Sequence, residues 1–391
     1  MVGAGQLKYF GEAGILASLD YVLDTLAPEE LILSIGEASR DFARTIVGHC
    51  DRRGVRVSLW VMVFADRPGI LSSLPHIQDA RGNEGYGSIG VWEDIGKGDE
   101  KFLFHCPSAV GNDEEGIHYA IQSVKAVGAQ GLFLDRIRYP SPANGLEFLG
   151  ACSCPRCKEA YKQWGGGTWP DLTSMAIHHA AEGEEGAYRF IVEAKPALQF
   201  RSRMVTSVVA RYAEAAHAGN LCVGLDLFAP SLAAIVGQDY FSLSNHADFM
   251  KPMLYCKAFA PAGLPLEFFL LMRGLEQSGI DASKARDFVS GLSGINSDAL
   301  DVVRSKGGFP ASLAASELVR SRREIDPHAR YKPEIYAGIE LVEHEAYATK
   351  IDQRGRDCYL ESLSGQNIAI CWNILYVPKE HIDAIASRRK D

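Results

Sequence analysis

Eight short apolar runs punctuate the chain, at Leu31–Gly36, Val57–Phe64, Phe102–Cys106, Gly131–Asp135, Cys222–Phe228, Phe249–Tyr255, Ile335–Glu340 and Asn367–Asn373. Most are dense in Val, Ile, Leu, Phe and Met and do not alternate with polar residues. Such density predicts strands covered on both faces, as in a parallel sheet under helices. The stretches between them carry helical spacing. Asn112-Asp113-Glu114-Glu115 reads as a capped, acidic helix start. Ile117, Ile121 and Val124 then share a face, and Gly128 is placed to stop the helix. Met204, Val208 and Tyr212 recur at every fourth position ahead of Gly219-Asn220. Tyr359, Leu360 and Leu363 make a short apolar face ahead of Gly365. Strands alternating with helices give an α/β fold, and eight of them predict closure into a (β/α)8 TIM barrel.

The length of 391 residues suits one elaborated barrel, a fold that needs roughly 200 to over 400 residues. Three connections exceed a simple βα turn: Ala65–Lys101 after strand two, Arg136–Leu221 after strand four and Cys256–Pro333 after strand six. The expected organisation is a single domain over 1–391 with inserted regions at 141–221 and 256–333. Loops that follow barrel strands gather at the C-terminal face, where they can wall a cleft. Contacts in a homo-oligomer are the other use open to them.

Charge and hydropathy narrow the partners. Lys and Arg total 40 against 49 Asp and Glu, and the net charge of −9 argues against a nucleic-acid partner. No segment reaches the ~18 uninterrupted apolar residues of a membrane helix. The first residues lack the basic and apolar pattern of a secretory leader. The expectation is a cytoplasmic protein with no membrane partner. Nine cysteines in such a chain are not a disulfide framework. Cys50, Cys222, Cys256, Cys358 and Cys371 are scattered and read as small core residues.

Several apolar strands end in a polar residue, which desolvation would otherwise disfavour. Glu37, Asp135, Asp226, Lys251, Glu340 and Asn373 hold such positions. Glycosidic cleavage needs a proton donor for the leaving oxygen and a second carboxylate that attacks or activates water. Asp135 and Glu340, at the ends of strands four and seven, are the expected pair across the barrel mouth, with Asp226 the third candidate. Trp60, Tyr139, Tyr255 and Trp372 lie in or just after strands; each could stack on a pyranose ring or pack in the core. His105 and Arg138 join the candidate carbohydrate-binding set with Glu37, Lys251 and Asn373. Arg138 would either hold Asp135 or Glu340 ionised or meet an anionic sugar. Lys251 admits a rival chemistry, because class I aldolases place a Schiff-base lysine in the sixth barrel strand. An ion pair with Asp226 is the plainer role for it. A non-catalytic sugar-binding barrel is a third reading, and none of the three needs an organic cofactor.

Cys152-Ser-Cys154-Pro-Arg-Cys157 brings three thiols into one tight turn. A structural zinc site takes four ligands, commonly thiolates. Cys106, at the end of the third run, is the candidate fourth ligand, since strands three and four are neighbours in a barrel. Zinc held this way would be structural and would clip the long loop to the barrel wall. Free thiols or a redox pair are the alternatives. The spacing does not match the CxxxCxxC of radical iron–sulfur enzymes.

His105-Cys-Pro-Ser followed by Gly131-Leu-Phe-Leu-Asp135-Arg-Ile-Arg138-Tyr139-Pro140 resembles glycoside hydrolases with a family-10-like barrel. The resemblance continues through Cys152–Cys157, Phe228-Ala-Pro-Ser231-Leu, Gly237-Gln-Asp-Tyr240 and Lys251-Pro-Met-Leu-Tyr255, over roughly residues 55–260. It implies a barrel hydrolase acting on carbohydrate. The cysteine pattern is similar to the structural zinc site of family 42 β-galactosidases, which implies zinc at Cys106, Cys152, Cys154 and Cys157. Those enzymes carry an Asn-Glu pair at the end of strand four. Asp135-Arg136 stands here, so β-galactosidase activity is not implied.

Overall fold

The computed structural model describes residues 7–34, 40–65, 73–84, 103–305, 308–344, 349–371 and 374–388. Its main sheet is parallel, and its strands lie side by side in chain order. Strands β1 (Glu30–Leu33), β2 (Arg56–Met62), β3 (Gly131–Asp135), β4 (Cys222–Phe228) and β5 (Phe249–Met253) pair in turn. β6 (Glu334–Ile335) and β7 (Ala337–Glu340) both pair with β5. A small antiparallel pair, β8 (Glu343–His344) with β9 (Thr349–Lys350), stands apart from the sheet, and β10 (Ile368–Cys371) pairs with β7. The sheet curls into a half-barrel with α/β connectivity, in the manner of a TIM-like fold. Among the described residues, β1 and β10 are not paired with each other.

One expected strand is corrected. Phe102–Cys106 is not the third strand of the sheet, because β2 pairs directly with β3, from Ser58↔Gly131 to Met62↔Asp135. The segment instead makes isolated antiparallel bridges to the loop after β2, Ala65↔Phe104 and His76↔His105. Phe104 and Cys106 are buried there, in a segment bridged to a loop rather than paired with sheet neighbours. Apolar density alone does not separate those two environments.

Helices carry the chain back between strands. Glu114–Val127 starts after Asp113 and ends at Gly128, whose φ of 76° is the left-handed conformation that glycine adopts without strain. After β3 come Pro155–Gln163, Leu172–Ala180 and the long helix Glu184–Ala218. The last of these buries Val205, Val208, Val209 and Tyr212, and ends at Gly219. After β5 come Leu264–Gln277, Ala282–Ser293, Ser297–Arg304 and Ser312–Arg323. Among the described residues no helix is long and apolar enough to cross a membrane.

Register sorts the strand residues onto two faces. Leu132, Leu134, Val223, Leu225 and Leu227 are fully buried on one. On the other, Trp60, Phe133, Gly224 and Phe249 fall in one row across β2 to β5. A Cβ on Gly224 would lie 2.1 Å from the Phe249 ring. Its absence lets Phe249 reach across and stack on Phe133 at 5.8 Å. The next row up belongs to the candidate site.

Candidate active site and metal centre

Leu134 pairs with Leu225, so the following position places Asp135, the last residue of β3, beside Asp226 of β4. Asp226 in turn pairs with Lys251 of β5. Three ionisable side chains thus sit at one level on adjacent strands, toward their C-terminal ends. Asp226 and Lys251 form an ion pair of 2.9 Å, and both are buried. Lys251 also donates to the Tyr255 hydroxyl at 3.0 Å and lies 3.4 Å from the Cys371 sulfur. Asp135 accepts from the Trp60 indole N–H at 2.8 Å and from the backbone N–H of Arg136.

Burial pushes the Asp226 carboxyl up to about 7; Lys251 pulls against that rise, and Asp135 adds to it. Burial also raises Asp135, although its donors Arg136 and Trp60, with the charges of Lys251 and Arg138, hold the rise in check. Burial alone would lower Lys251, but Asp226 beside it more than reverses that, with Cys371 and Asp135 adding to the rise. The lysine is therefore favoured in its protonated form, and the Asp226 carboxyl takes up a proton more readily than a free carboxylate does.

Other expected residues divide by environment. Trp60 is half-buried beside Asp135, with the Arg136 guanidinium 5.7 Å from its ring centre. Tyr255 is 1% exposed and serves as a partner of Lys251. Arg138 lies near enough to the acidic row to act on it. It is sandwiched between Phe104 and Phe228 and donates to Tyr139 O and Asn144 Oδ1, acting on Asp135 and Asp226 through its charge. Tyr139 lies in the core under the Arg201 guanidinium, which is the packing place of the two it was open to. His105 is buried too, with Nδ1 3.0 Å from Leu74 O in the loop after β2. Glu37, Trp372 and Asn373 lie outside the described residues.

Glu340 has a separate set of partners. Its carboxylate accepts from the backbone N–H groups of Lys257 and Ala258, at 2.5 and 3.1 Å, and from the Tyr359 hydroxyl at 2.9 Å. It is fully buried, which pushes its carboxyl up to about 7 against those hydrogen bonds. Among the described residues it shares no hydrogen-bond partner with Asp135. It ties the start of the loop after β5 to β7 and to the helix Gln353–Ser362.

Two contributors escape a linear reading. Cys371 reads as a scattered core cysteine, yet its sulfur meets Lys251. Gly338 faces the same place: a Cβ there would lie 3.1 Å from the Cys371 sulfur and 3.2 Å from Lys251 Cγ. The only local signal was a small residue one position before Ile339-Glu340.

The four expected cysteines do converge. Their sulfurs all lie within 4.8 Å of one another, and all four are buried. Cys106 precedes the short helix Pro107–Val110, and Cys154 caps Pro155–Gln163. Cys106 Sγ is 3.6 Å from Cys154 Sγ and 3.5 Å from Cys157 Sγ. Four thiolates about 2.3 Å from a zinc ion stand about 3.8 Å apart at tetrahedral corners, so the cluster is close to that size. Backbone N–H groups of Gln78 and Cys157 point at the sulfurs of Cys152 and Cys154, both at 3.4 Å, as suits thiolate ligands. The donor set therefore fits a metal that prefers sulfur.

No family model matches the chain, and no curated protein matches it. Solved structures similar to it include the C-terminal domain of a candidate chitinase from Desulfitobacterium hafniense DCB-2, with 9% identity over 97% of this chain and 95% of that one, at a TM-score of 0.45. A class V chitinase from Pseudomonas fluorescens Pf-5 is similar at 10% identity over 83% of this chain, with a TM-score of 0.38, and this chain spans only 65% of its length. A chitinase from Chromobacterium violaceum ATCC 12472 is similar at 11% identity over 85% of this chain and 67% of that one, with a TM-score of 0.33. Likeness at this level is remote, and none of these activities transfers to the chain on it.

Proposed function

We propose that the chain is a glycoside hydrolase whose carboxylate pair is Asp135 and Asp226, with Lys251 fixing the charge of the pair. The observation that carries this reading is the row of Asp135, at the C-terminal end of β3, with Asp226, inside the C-terminal half of β4, and Lys251, at the middle of β5, on three adjacent parallel strands. Barrel enzymes keep their chemistry at that face. Asp135, given two N–H donors, is the anion. Asp226, pushed up to about 7 by burial against the pull of the Lys251 ammonium, is the acid, and it gives up its ion pair when it takes the proton. The Asp135 carboxylate attacks the anomeric carbon as the glycosidic C–O bond breaks, and the Asp226 proton passes to the leaving oxygen. Water then enters, giving its proton to Asp226 as the bond to Asp135 breaks. Adjacent strands are about 4.8 Å apart, a spacing that suits the roughly 5–5.5 Å carboxylate separation of retaining enzymes. Glu340, first expected in the pair, is assigned instead to anchoring the loop after β5. Trp60 offers an aromatic face beside the nucleophile.

Cys106, Cys152, Cys154 and Cys157 would hold a zinc ion. When bound, zinc supplies cross-linking of the loop after β3, since all four of its positions are filled by protein. The resemblances to family-10-like hydrolases and to the family 42 zinc site point the same way. A Schiff-base lyase fits less well, because Lys251 is ion-paired and held protonated.

The test is a panel of aryl glycosides varied in sugar and anomer. Wild-type protein should turn over at least one, and Asp135→Asn and Asp226→Asn should each lower kcat by roughly a thousandfold. Turnover unchanged in both variants would refute the assignment. Binding with no product would favour a sugar-binding barrel.

A further inference from the structure

Ser108 carries a buried hydroxyl whose hydrogen bond goes to sulfur. It stands two residues after Cys106, in the short helix Pro107–Val110, and is 6% exposed. A helical serine often turns its hydroxyl back to a carbonyl of the preceding turn. Ser108 Oγ lies instead 3.1 Å from the Sγ of Cys157, which is 2% exposed and comes from the helix Pro155–Gln163. Among the described residues the hydroxyl has no other hydrogen-bond partner. A neutral thiol is a weak acceptor, and burying a hydroxyl against one is costly. A thiolate is a charged acceptor, and hydrogen bonds to charged groups are shorter and stronger.

The other contacts to the cluster follow the same pattern. The backbone N–H groups of Gln78 and Cys157 meet the sulfurs of Cys152 and Cys154, both at 3.4 Å. Cys152, Cys154 and Cys157 therefore each have one N–H or O–H partner, drawn from the loop after β2, the Cys157 helix and the helix after Cys106. Among the described residues no lysine or arginine hydrogen-bonds to any of the four sulfurs. A divalent metal held by four thiolates is a dianion. In a buried place without cations, that charge is dispersed by dipoles aimed at the sulfurs. Metal-bound sulfur has no proton to give, so in that state the Ser108 hydroxyl is the donor. A free Cys157 thiol could take either role.

We propose that Ser108 donates to the metal-bound thiolate of Cys157 and so sets how tightly the four cysteines hold the metal. The proposal rests on the metal reading of the four thiols. Ser108 touches a ligand and not the metal, so it is a positioning residue. Apart from the cysteines themselves, it is the one side chain among the described residues that hydrogen-bonds to a cluster sulfur. It is therefore the donor that a substitution can remove. The hydroxyl draws electron density from the Cys157 sulfur, and without it that thiolate gives electrons to the metal more readily.

Ser108→Ala removes the hydroxyl, and Ser108→Thr keeps it. Zinc affinity is read by competition with a chromophoric chelator, and the cobalt-loaded protein by its thiolate-to-metal absorption band. Ser108→Ala should bind zinc about 10–100-fold more weakly than wild type, and Ser108→Thr within about threefold of it. The cobalt band should move to longer wavelength in Ser108→Ala, because a thiolate without its donor gives up electrons more easily. It should stay in place in Ser108→Thr. A merely structural serine would lower the thermal midpoint alike with and without metal, and would leave the band unmoved. The proposal is overturned if Ser108→Ala keeps wild-type affinity, if it loses affinity with the band unmoved, or if Ser108→Thr binds as weakly as Ser108→Ala. Should Ser108→Ala not fold, the threonine variant decides alone: near-wild-type affinity supports the donor, and a loss of about tenfold overturns it. A wild-type chain that takes up neither zinc nor cobalt removes the metal reading and this inference together; unchanged affinity in Ser108→Ala removes only the inference.

Discussion

Two carboxylates side by side in a dry site cannot both ionise cheaply, and Asp135 and Asp226 show how neighbours divide the task. Asp135 receives two N–H donors. Asp226 receives one ammonium and stands deeper, at 4% exposure. In the proposed assignment Asp135 is the anion and Asp226 the proton donor, the division that acid and nucleophile require. If Asp226 is the acid, as proposed, turnover should fall as pH rises through about 7. A dinitrophenyl glycoside needs no proton on its leaving group. With it, Asp226→Asn should keep measurable turnover and lose that alkaline limb. A limb that persists near the same pH in the variant would assign the titration to another group. At this scale Lys251 was legible as an ion-pair partner of Asp226, since successive strands are neighbours. Cys371 and Gly338 were not: they reach Lys251 through the register of β5, β7 and β10, which no local stretch of sequence encodes.

At the scale of elements, strands deep in the sheet are read most faithfully. Gly131–Asp135 and Cys222–Phe228 have the bounds that their apolar runs indicate. Each is preceded by a helix-ending glycine, Gly128 or Gly219. Phe102–Cys106 has the same density, but Phe104 and His105 in it bridge to the loop after β2 instead of pairing in the sheet. The run Ile335–Glu340 divides at Tyr336 into β6 and β7. Glu340 at the end of β7 illustrates the limit for sites: a strand-end carboxylate was legible, and its use as a loop anchor was not, because Lys257, Ala258 and Tyr359 come from other elements. Its raised pKa has a consequence for stability. The folded state holds the Glu340 proton more tightly than the unfolded chain does. Between the ordinary value of about 4.3 and about 7, its contribution therefore falls as pH rises. Asp226 acts in the same direction. Glu340→Gln keeps an acceptor for the loop and should flatten the decline of Tm from pH 5 to pH 7. An unchanged slope would show that Glu340 does not carry it.

For the whole molecule, chain-order pairing of parallel strands is what assembles the site. Asp135 and Asp226 are 91 residues apart in sequence, yet become neighbours because β3 and β4 do. The long connection between them carries Cys152, Cys154 and Cys157, which meet Cys106 from the segment before β3. Composition and pattern carried the α/β architecture and the four thiols. They did not carry which strand-end acids would meet. That choice is the central claim, and covalent trapping tests it most directly. A panel of 2-deoxy-2-fluoro glycosyl fluorides, followed by mass spectrometry of the digested protein, should leave a sugar on the peptide that contains Asp135. A sugar attached to Glu340, or no adduct from any glycosyl fluoride whose parent sugar the wild-type protein hydrolyses, would contradict it.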